Sequence, residues 1–499
     1  MVSRRSFLGG MAAFGALQGC RSLAVPSGTV SMGTPNLKLG VLSDIHVHEW
    51  GMENYLPTIS YDVQTFVHAL ESFRDEEVDG VVIAGDLADY GMISEMEAVA
   101  RAWELVFPDS RLPSGRKVEK LFVMGNHDWE GFVYRDYGKR LHPDPDDLRR
   151  AALQFNLKAA WERIWKEPFS PVWTKTVRGY AFVGAHWMDF RGGDREKVSF
   201  AGAPEAIRAA GRAADPNRPF FYIQHPQPRG TNYGEKCWGH DRGDVTAALS
   251  EFPNAFAISG HSHYPLTDDR AIWQGAFTSL QMSSLRYSAV FCEDMDERTL
   301  EDAKSFGPDA AALDAKKLLP RYATTDGRHG SLLRVYDDRI EITRRDFLSF
   351  ESLGDDWILP FPPRGEKPYA YGRQAARETA PDFDSAAQLS FLSERRPDRS
   401  GAWQDALVVR FPSRTVAGAS RAQRFEVEIH ADDRLLVRKF VTPQGFNRAV
   451  VRQPQMTECP FDRKALSKGP LLVRVTPVAA FGTRGRPLEG RVRCELGGI

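Results

Sequence analysis

Cysteine is scarce in this 499-residue chain, with five scattered positions, Cys20, Cys237, Cys292, Cys459 and Cys494, and no Cys-x-x-Cys pair. That excludes a disulfide framework and a thiolate metal site of the usual spacing. Excess charge of either sign is also missing. Lys plus Arg number 65 against 66 Asp plus Glu, so the overall field gives no reason to expect a nucleic-acid partner, and an anionic ligand has to be captured locally. No stretch reaches the roughly 18 uninterrupted apolar residues that a membrane-spanning helix needs. Composition is otherwise that of a globular protein, with 42% hydrophobic and 26% charged residues. The length exceeds one ordinary core and predicts two or three domains. Cys459 and Cys494 fall in one C-terminal β-rich region, where an oxidising compartment would let them pair if geometry allowed. Cys237 and Cys292 read as small buried or half-buried side chains.

The first 20 residues read as an address. Ser3-Arg4-Arg5-Ser6-Phe7-Leu8 resembles a twin-arginine export signal, followed by an apolar run to Leu17 that is too short to span a bilayer. Leu17-Gln18-Gly19-Cys20 resembles a lipoprotein box, in which Cys20 is acylated and begins the mature chain. The expectation is an exported protein, periplasmic or at the cell surface, touching the membrane only through a lipid on Cys20. Residues 21–36, rich in Ser, Gly, Pro and Thr, read as a linker.

From residue 37 the pattern alternates. The apolar stretch Leu37–Ser43 stops at Asp44; a helical stretch near 61–76 leads to Gly80–Ala84, which stops at Asp86; a helix near 92–106 leads to Lys120–Met124, which stops at Asn126. Further apolar segments at 180–185, 219–224 and 255–259 follow, the last two ending in histidine-containing turns. Strands alternating with helices imply parallel or mixed sheets whose ligands bind beyond the strand C-termini. Residues 331–347 alternate like a hairpin turning at Asp337-Asp338 and close a domain spanning 37–350. A Pro-rich break at 360–365 marks residues 351–372 as a linker. Beyond it, 406–411, 424–430, 434–441 and 471–478 are strand-like, so 373–499 reads as an all-β sandwich. Leu472–Val478 with Phe481-Gly482 resembles the last hairpin of a fibronectin type III domain.

Polar clusters sit at these strand ends: Asp44-Ile45-His46, Gly85-Asp86-Leu87-Ala88-Asp89, Gly125-Asn126-His127-Asp128, His225-Pro226 and Gly260-His261-Ser262-His263. Carboxylates and neutral imidazoles are ligands that divalent Mn, Fe or Zn accept, and a carboxylate can bridge two such ions. Taken singly, each cluster is an ordinary turn. In this order the series resembles the calcineurin-like metallophosphoesterase superfamily over residues 37–350. The resemblance implies an α/β fold of two packed mixed sheets flanked by helices. It implies two metals, one held by Asp44, His46, Asp86 and His263, the other by Asp86, Asn126, His225 and His261. Water activated between them would attack phosphorus in line, hydrolysing a phosphate monoester or diester. His127 would assist as a non-ligand catalytic histidine, with Asp128 orienting it.

The same motifs depart from two subfamilies. The purple acid phosphatase tyrosine position holds Asp89, with Tyr90 one step late, so no ferric-tyrosinate site is expected. Asp128 replaces the Glu of the nucleotidase Gly-Asn-His-Glu. Asp89 reads either as a group bonding a metal ligand or as a helix cap. His48 and His240 read as loop residues near a pocket, His186 and Asp189 as structural, and Arg229 and Arg286 as surface ion-pair residues that also suit phosphate. The expected partner is a phosphorylated small molecule or envelope phosphoester. The other-class alternative is a lipoprotein that binds a phosphorylated ligand or the envelope without turnover.

Overall fold

The computed structural model describes residues 33–47, 61–130, 157–188, 200–234, 239–291, 322–325, 327–363, 365–397 and 402–494. The export signal, Cys20, His48, Asp189, Cys237 and Cys292 lie outside the described residues. Pro35–Ile499 forms one compact unit. Among the described residues, no helix is long and apolar enough to cross a membrane.

Strands β1 (Leu37–Leu42), β2 (Gly80–Ala84) and β3 (Glu119–Val123) run parallel, joined by helices α1 (Tyr61–Asp75) and α2 (Ile93–Val106). β2 is buried at every position, as a strand covered on both faces must be. α1 turns Phe66, Leu70 and Phe73 inward and α2 turns Met96, Val99, Trp103 and Val106 inward, the i, i+3, i+4 spacing of one apolar stripe. The predicted hairpin is present as His329–Val335 and Arg339–Ile342, the former antiparallel to β1. This first sheet runs on through Arg345–Asp346 and Glu351–Ser352, with Trp357–Pro360 paired to Arg339–Ile342. Residues 351–372, expected as a linker, therefore supply two strands to the first sheet.

The second sheet contains β4 (Val172–Val177), β5 (Tyr180–Ala185), β6 (Phe220–Ile223), β7 (Ala255–Ser259), β8 (Ile272–Gln274) and β9 (Thr278–Gln281), in the order β4-β5-β6-β7-β9-β8. Its four central strands are parallel and its two edges antiparallel. Val41, Val82 and Leu121 of the first sheet meet Phe182, Phe221, Ile223 and Ile258 of the second in one core. Helices cover both outer faces. The result is a four-layer mixed α/β fold in which the C-terminal ends of β1, β2, β3, β6 and β7 each lead into one of the polar turns.

Residues 390–494 form two antiparallel sheets, of three strands and of four. Alternate residues of both, among them Leu407, Val409, Phe425, Val427, Phe461 and Val473, share one core. Cys459 and Cys494 are both buried in it as free thiols. Phe440, on the opposite face of its strand, packs into the core between the two α/β sheets, so the β domain is docked on its neighbour. The sequence missed the helix Tyr371–Arg377 at this junction, where the Tyr371 hydroxyl donates to the Arg270 carbonyl and accepts from the Tyr233 amide.

Candidate metal centre

Sharp turns at the strand ends place the polar side chains. Asp44, His46, Asp86, His261 and His263 all have φ between 48 and 74°, a left-handed conformation that costs an L-residue about 1–3 kcal/mol and persists only where the surroundings enforce it. Backbone bonds do so: the Asp44 amide donates to the Gly85 carbonyl at 2.9 Å and the His46 amide to the Asp86 carbonyl at 3.0 Å. Gly125 and Gly260 leave no room for a side chain. A Cβ on Gly125 would strike Asp86 and His225, and one on Gly260 would strike Ser43 and Asp44.

Besides a less buried trio of His46, Asp89 and His127, two fully buried groups of donor atoms gather among the described residues, Asp44, His46, Asp86 and His263 in one, and Asp86, His225 and His261 in the other. Asp86 belongs to both. In the first, His263 Nε2 lies 2.8 Å from Asp44 Oδ1, and His46 Nε2 lies 3.6 Å from Asp86 Oδ2 and 3.1 Å from His263 Nε2. In the second, His225 Nε2 is 3.0 Å from Asp86 Oδ2 and 3.2 Å from His261 Nδ1. Asn126 is buried at the end of β3, and its Oδ1 has no hydrogen-bond partner. Asp44 Oδ1 likewise accepts no hydrogen bond, despite its proximity to His263.

The imidazoles are oriented from behind. His46 Nδ1 faces Asp89 Oδ1 at 2.9 Å, His225 Nδ1 faces the Ala84 carbonyl at 2.7 Å, and His263 Nδ1 faces the Tyr287 carbonyl at 3.2 Å. An acceptor behind Nδ1 fixes the proton there and leaves Nε2 as a lone-pair donor turned into the site. Ser43 Oγ and the His261 amide similarly occupy Asp44 Oδ2, which leaves Oδ1 for the centre. Burial opposes ionisation throughout. Even so, His263 and His225 hold Asp44 well below the carboxylate range, and the carboxylates of Asp44 and Asp89 push His46 up to about 10. His225, facing Asp86 and Asp44, is pushed up to about 9. Imidazole nitrogens facing one another and orphaned carboxylate and amide oxygens are what a pair of divalent cations, displacing the ring protons, would satisfy. The donor set of imidazole, carboxylate and amide oxygen fits Mn, Fe or Zn.

His127 stands edge-on to His46, ring centroids 4.5 Å apart, with Nδ1 donating to the Asp89 carbonyl at 2.7 Å. Burial pushes it down to about 4. The group beside it is Asp89, not Asp128 as expected. Asp128 accepts from the amides of Leu87, Ala88 and Gly125 and so ties the β2 and β3 turns together. Burial pushes that carboxyl up to about 7. Asp89 serves His46 and caps no helix; that role at α2 falls to Glu95, which takes the Tyr90 and Met92 amides.

Of the remaining candidates, His186 is buried, accepts from the Met124 amide and stacks on Phe169, a structural role. His240 is half-buried and bonds the Asp241 carbonyl, beside Gly239, which closely approaches His261. Arg286 reaches the His46 carbonyl and pairs with Asp62 at 2.9 Å. Arg229 is held by its amide on Asp241. Apart from Arg286, sequence reasoning missed the segment that ends β9 and follows it, Gln281–Ser288. There Gln281 binds Ser262 Oγ, Ser284 Oγ binds the Asp44 carbonyl, and the Tyr287 ring lies 4.4 Å from that of His263. Trp187, 5.6 Å from His261, walls the other side.

Paired Asp/His clusters bridged by one carboxylate at the strand ends of a two-sheet α/β sandwich define a metallophosphoesterase fold. Residues 37–265 match the calcineurin-like phosphoesterase family. No curated protein matches the chain. Among solved structures it is similar to a dimetal phosphatase from Danio rerio, at 15% identity and TM-score 0.35, covering 66% of this chain and 100% of the other. It is also similar to the purple acid phosphatase PPD1 of yellow lupin, at 13% identity and TM-score 0.38, covering 66% and 55%. A third is zinc-complexed Vps29 of Entamoeba histolytica, at 10% identity and TM-score 0.26, covering 65% and 99%.

Proposed function

We propose that the chain is a metal-dependent phosphoric ester hydrolase, a phosphatase or phosphodiesterase acting in the periplasm or at the cell surface and anchored through a lipid on Cys20. The observation that supports this reading is the pair of buried donor clusters sharing Asp86. Asp44, His46, Asp86 and His263 would hold one divalent ion, and Asp86, Asn126, His225 and His261 the other. Such a pair supplies Lewis acidity toward phosphoryl oxygens and a water activated near neutral pH. Asp89 orients His46 and, through its carbonyl, His127. With its proton held on Nδ1, His127 presents a bare Nε2 to the ester; there it takes a proton from the attacking water and returns it to the leaving oxygen. Tyr287 packs against His263 and His46, and Trp187 against His261 and His225. The substrate is a phosphorylated small molecule or an envelope phosphoester.

The test is turnover of p-nitrophenyl phosphate against bis-p-nitrophenyl phosphate by protein beginning at residue 21, stripped with a chelator and reconstituted with Mn, Fe or Zn. Metal-dependent cleavage is expected, and the preferred ester separates phosphatase from phosphodiesterase. If protein verified to hold two metals cleaves neither ester nor any envelope phosphoester, the reading gives way to a non-catalytic phosphate-ligand or envelope-binding lipoprotein.

A further inference from the structure

His329 is fully buried at the start of the strand that pairs with β1, and it touches three parts of the molecule at once. Its Nδ1 lies 3.2 Å from the amide of Leu266, which can only donate, so Nδ1 is the acceptor. The proton therefore sits on Nε2, which donates to the carbonyl of Asn447 at 2.7 Å. Leu266 is three residues beyond His263. Asn447 belongs to the C-terminal β domain and is itself buried against the α/β unit. A second route leads the same way: Ser288 Oγ lies 3.4 Å from His329 Nδ1 and 3.3 Å from Ser283 Oγ, which donates to the His263 carbonyl. A third uses the backbone, where the His329 amide donates to the Ser284 carbonyl while Ser284 Oγ donates to the Asp44 carbonyl. Packing leaves no slack at the junction. A Cβ on Gly327 would lie 2.6 Å from Asn447 Nδ2, 2.7 Å from Ser288 Oγ and 2.9 Å from His329 Nε2.

We infer that His329 is a positioning residue through which the C-terminal β domain holds the turn carrying His261 and His263 in its ligating geometry. The inference rests on the two-metal reading of the site. One imidazole accepts from one unit and donates to the other, so it transmits position only as the neutral Nε2–H tautomer. Burial, which pushes His329 down to about 4, keeps it in that form. The β domain is on this account part of the catalytic frame and not a detachable binding module. Its loop at residues 445–449 is clamped from its own side as well, by Arg421 Nη2 on the Arg448 carbonyl and the Arg421 guanidinium over the Phe446 ring.

The experiment uses the full mature chain with His329→Phe, His329→Gln and Gly327→Ala. Two properties are read: Mn2+ affinity by titration calorimetry and hydrogen exchange at the Leu266 amide. Phe fills the space but leaves both hydrogen bonds unmade, and Mn2+ affinity should fall about 10- to 100-fold, the range typical of losing an outer partner of a metal ligand. Exchange at Leu266 should accelerate, and kcat should fall with KM little changed. Gln, with one acceptor and one donor, should restore most of the affinity. Gly327→Ala, which wedges the junction and crowds His329 Nε2 while keeping the imidazole, should move affinity in the same direction as Phe and serves if the Phe variant does not fold. Wild-type Mn2+ affinity and Leu266 protection in folded Phe or Gly327→Ala protein would overturn the inference. Wild-type protein that binds two Mn2+ but cleaves no ester would sink the hydrolase reading and leave this comparison intact.

Discussion

Alanine at position 125 should cost the chain metal before it costs the fold. Gly125 is not in a left-handed conformation, so its backbone accepts alanine; the objection is spatial. The added Cβ would lie 2.7 Å from the Asp86 amide nitrogen and 2.7 Å from His225 Cδ2, and closer still to Asp86 Oδ1. Those neighbours are backbone and short buried side chains, with no flexible end to swing aside. Overpacking of this kind typically costs about 1–3 kcal/mol of stability. A shift of a few tenths of an ångström in Asp86 is felt at both clusters, because that carboxylate belongs to each. Metal affinity should drop about 10- to 100-fold. The control is Gly372→Ala in the helix Tyr371–Arg377, where an added Cβ meets nothing within 4 Å; that change should stabilise by about 0.4–1 kcal/mol through the unfolded chain. Calorimetric Mn2+ titration and denaturant melts of the metal-free proteins read both effects. Gly125→Ala protein that binds two Mn2+ as tightly as wild type would refute the placement of Asp86 as the shared ligand.

His127→Ala should lower kcat about 10²- to 10⁴-fold while both metals stay bound, measured by turnover alongside metal analysis; parallel loss of metal would make His127 a ligand instead. Asp89→Ala removes the acceptor behind His46 Nδ1 and should weaken Mn2+ binding about 10- to 100-fold, which titration checks directly. His186 gives a pH prediction. Burial pushes it from 6.5 down to about 3. A depressed histidine contributes full stability above the unfolded value of 6.5 and loses it as pH falls toward 3, because the unfolded chain takes the proton first. At pH 5 the loss is about 2 kcal/mol relative to pH 7. Denaturant melts of His186→Gln at the two pH values should show the pH 5 penalty smaller by about that amount, and an unchanged penalty would show that His186 is not held neutral.

The metal turns were legible because they combine two local signals, an apolar strand that stops and a ligand residue type that tolerates a sharp turn. Asp128 was misread for an equally local reason. Residues 126–130 are helical, so neighbours in sequence point about 100° apart, and Asp128 turns back onto the Leu87, Ala88 and Gly125 amides while His127 faces the site. The strand Trp357–Pro360 was hidden by running into the Pro-rich break, since its pairing with Arg339–Ile342 is a tertiary matter that four residues do not announce. Apart from Arg286, Gln281–Ser288 escaped notice because it acts through hydroxyls and backbone carbonyls, which carry no spacing rule. His329 was invisible for the same reason: its meaning lies in Leu266 and Asn447, and nothing nearby in the chain points to either.

Asp44, His46, Asp86 and Asn126 follow strands of the first sheet, and His225, His261 and His263 follow strands of the second. Each donor cluster draws on both. An ion held by either would therefore act as a clasp between the two halves of the domain, closing a loop of some two hundred residues much as a disulfide would, but reversibly. The grip of one sheet on the other then becomes a function of free metal concentration, worth about 2.7 kcal/mol per site at a hundredfold excess over the dissociation constant. Metal scarcity would loosen the architecture itself and expose the protein to proteolysis.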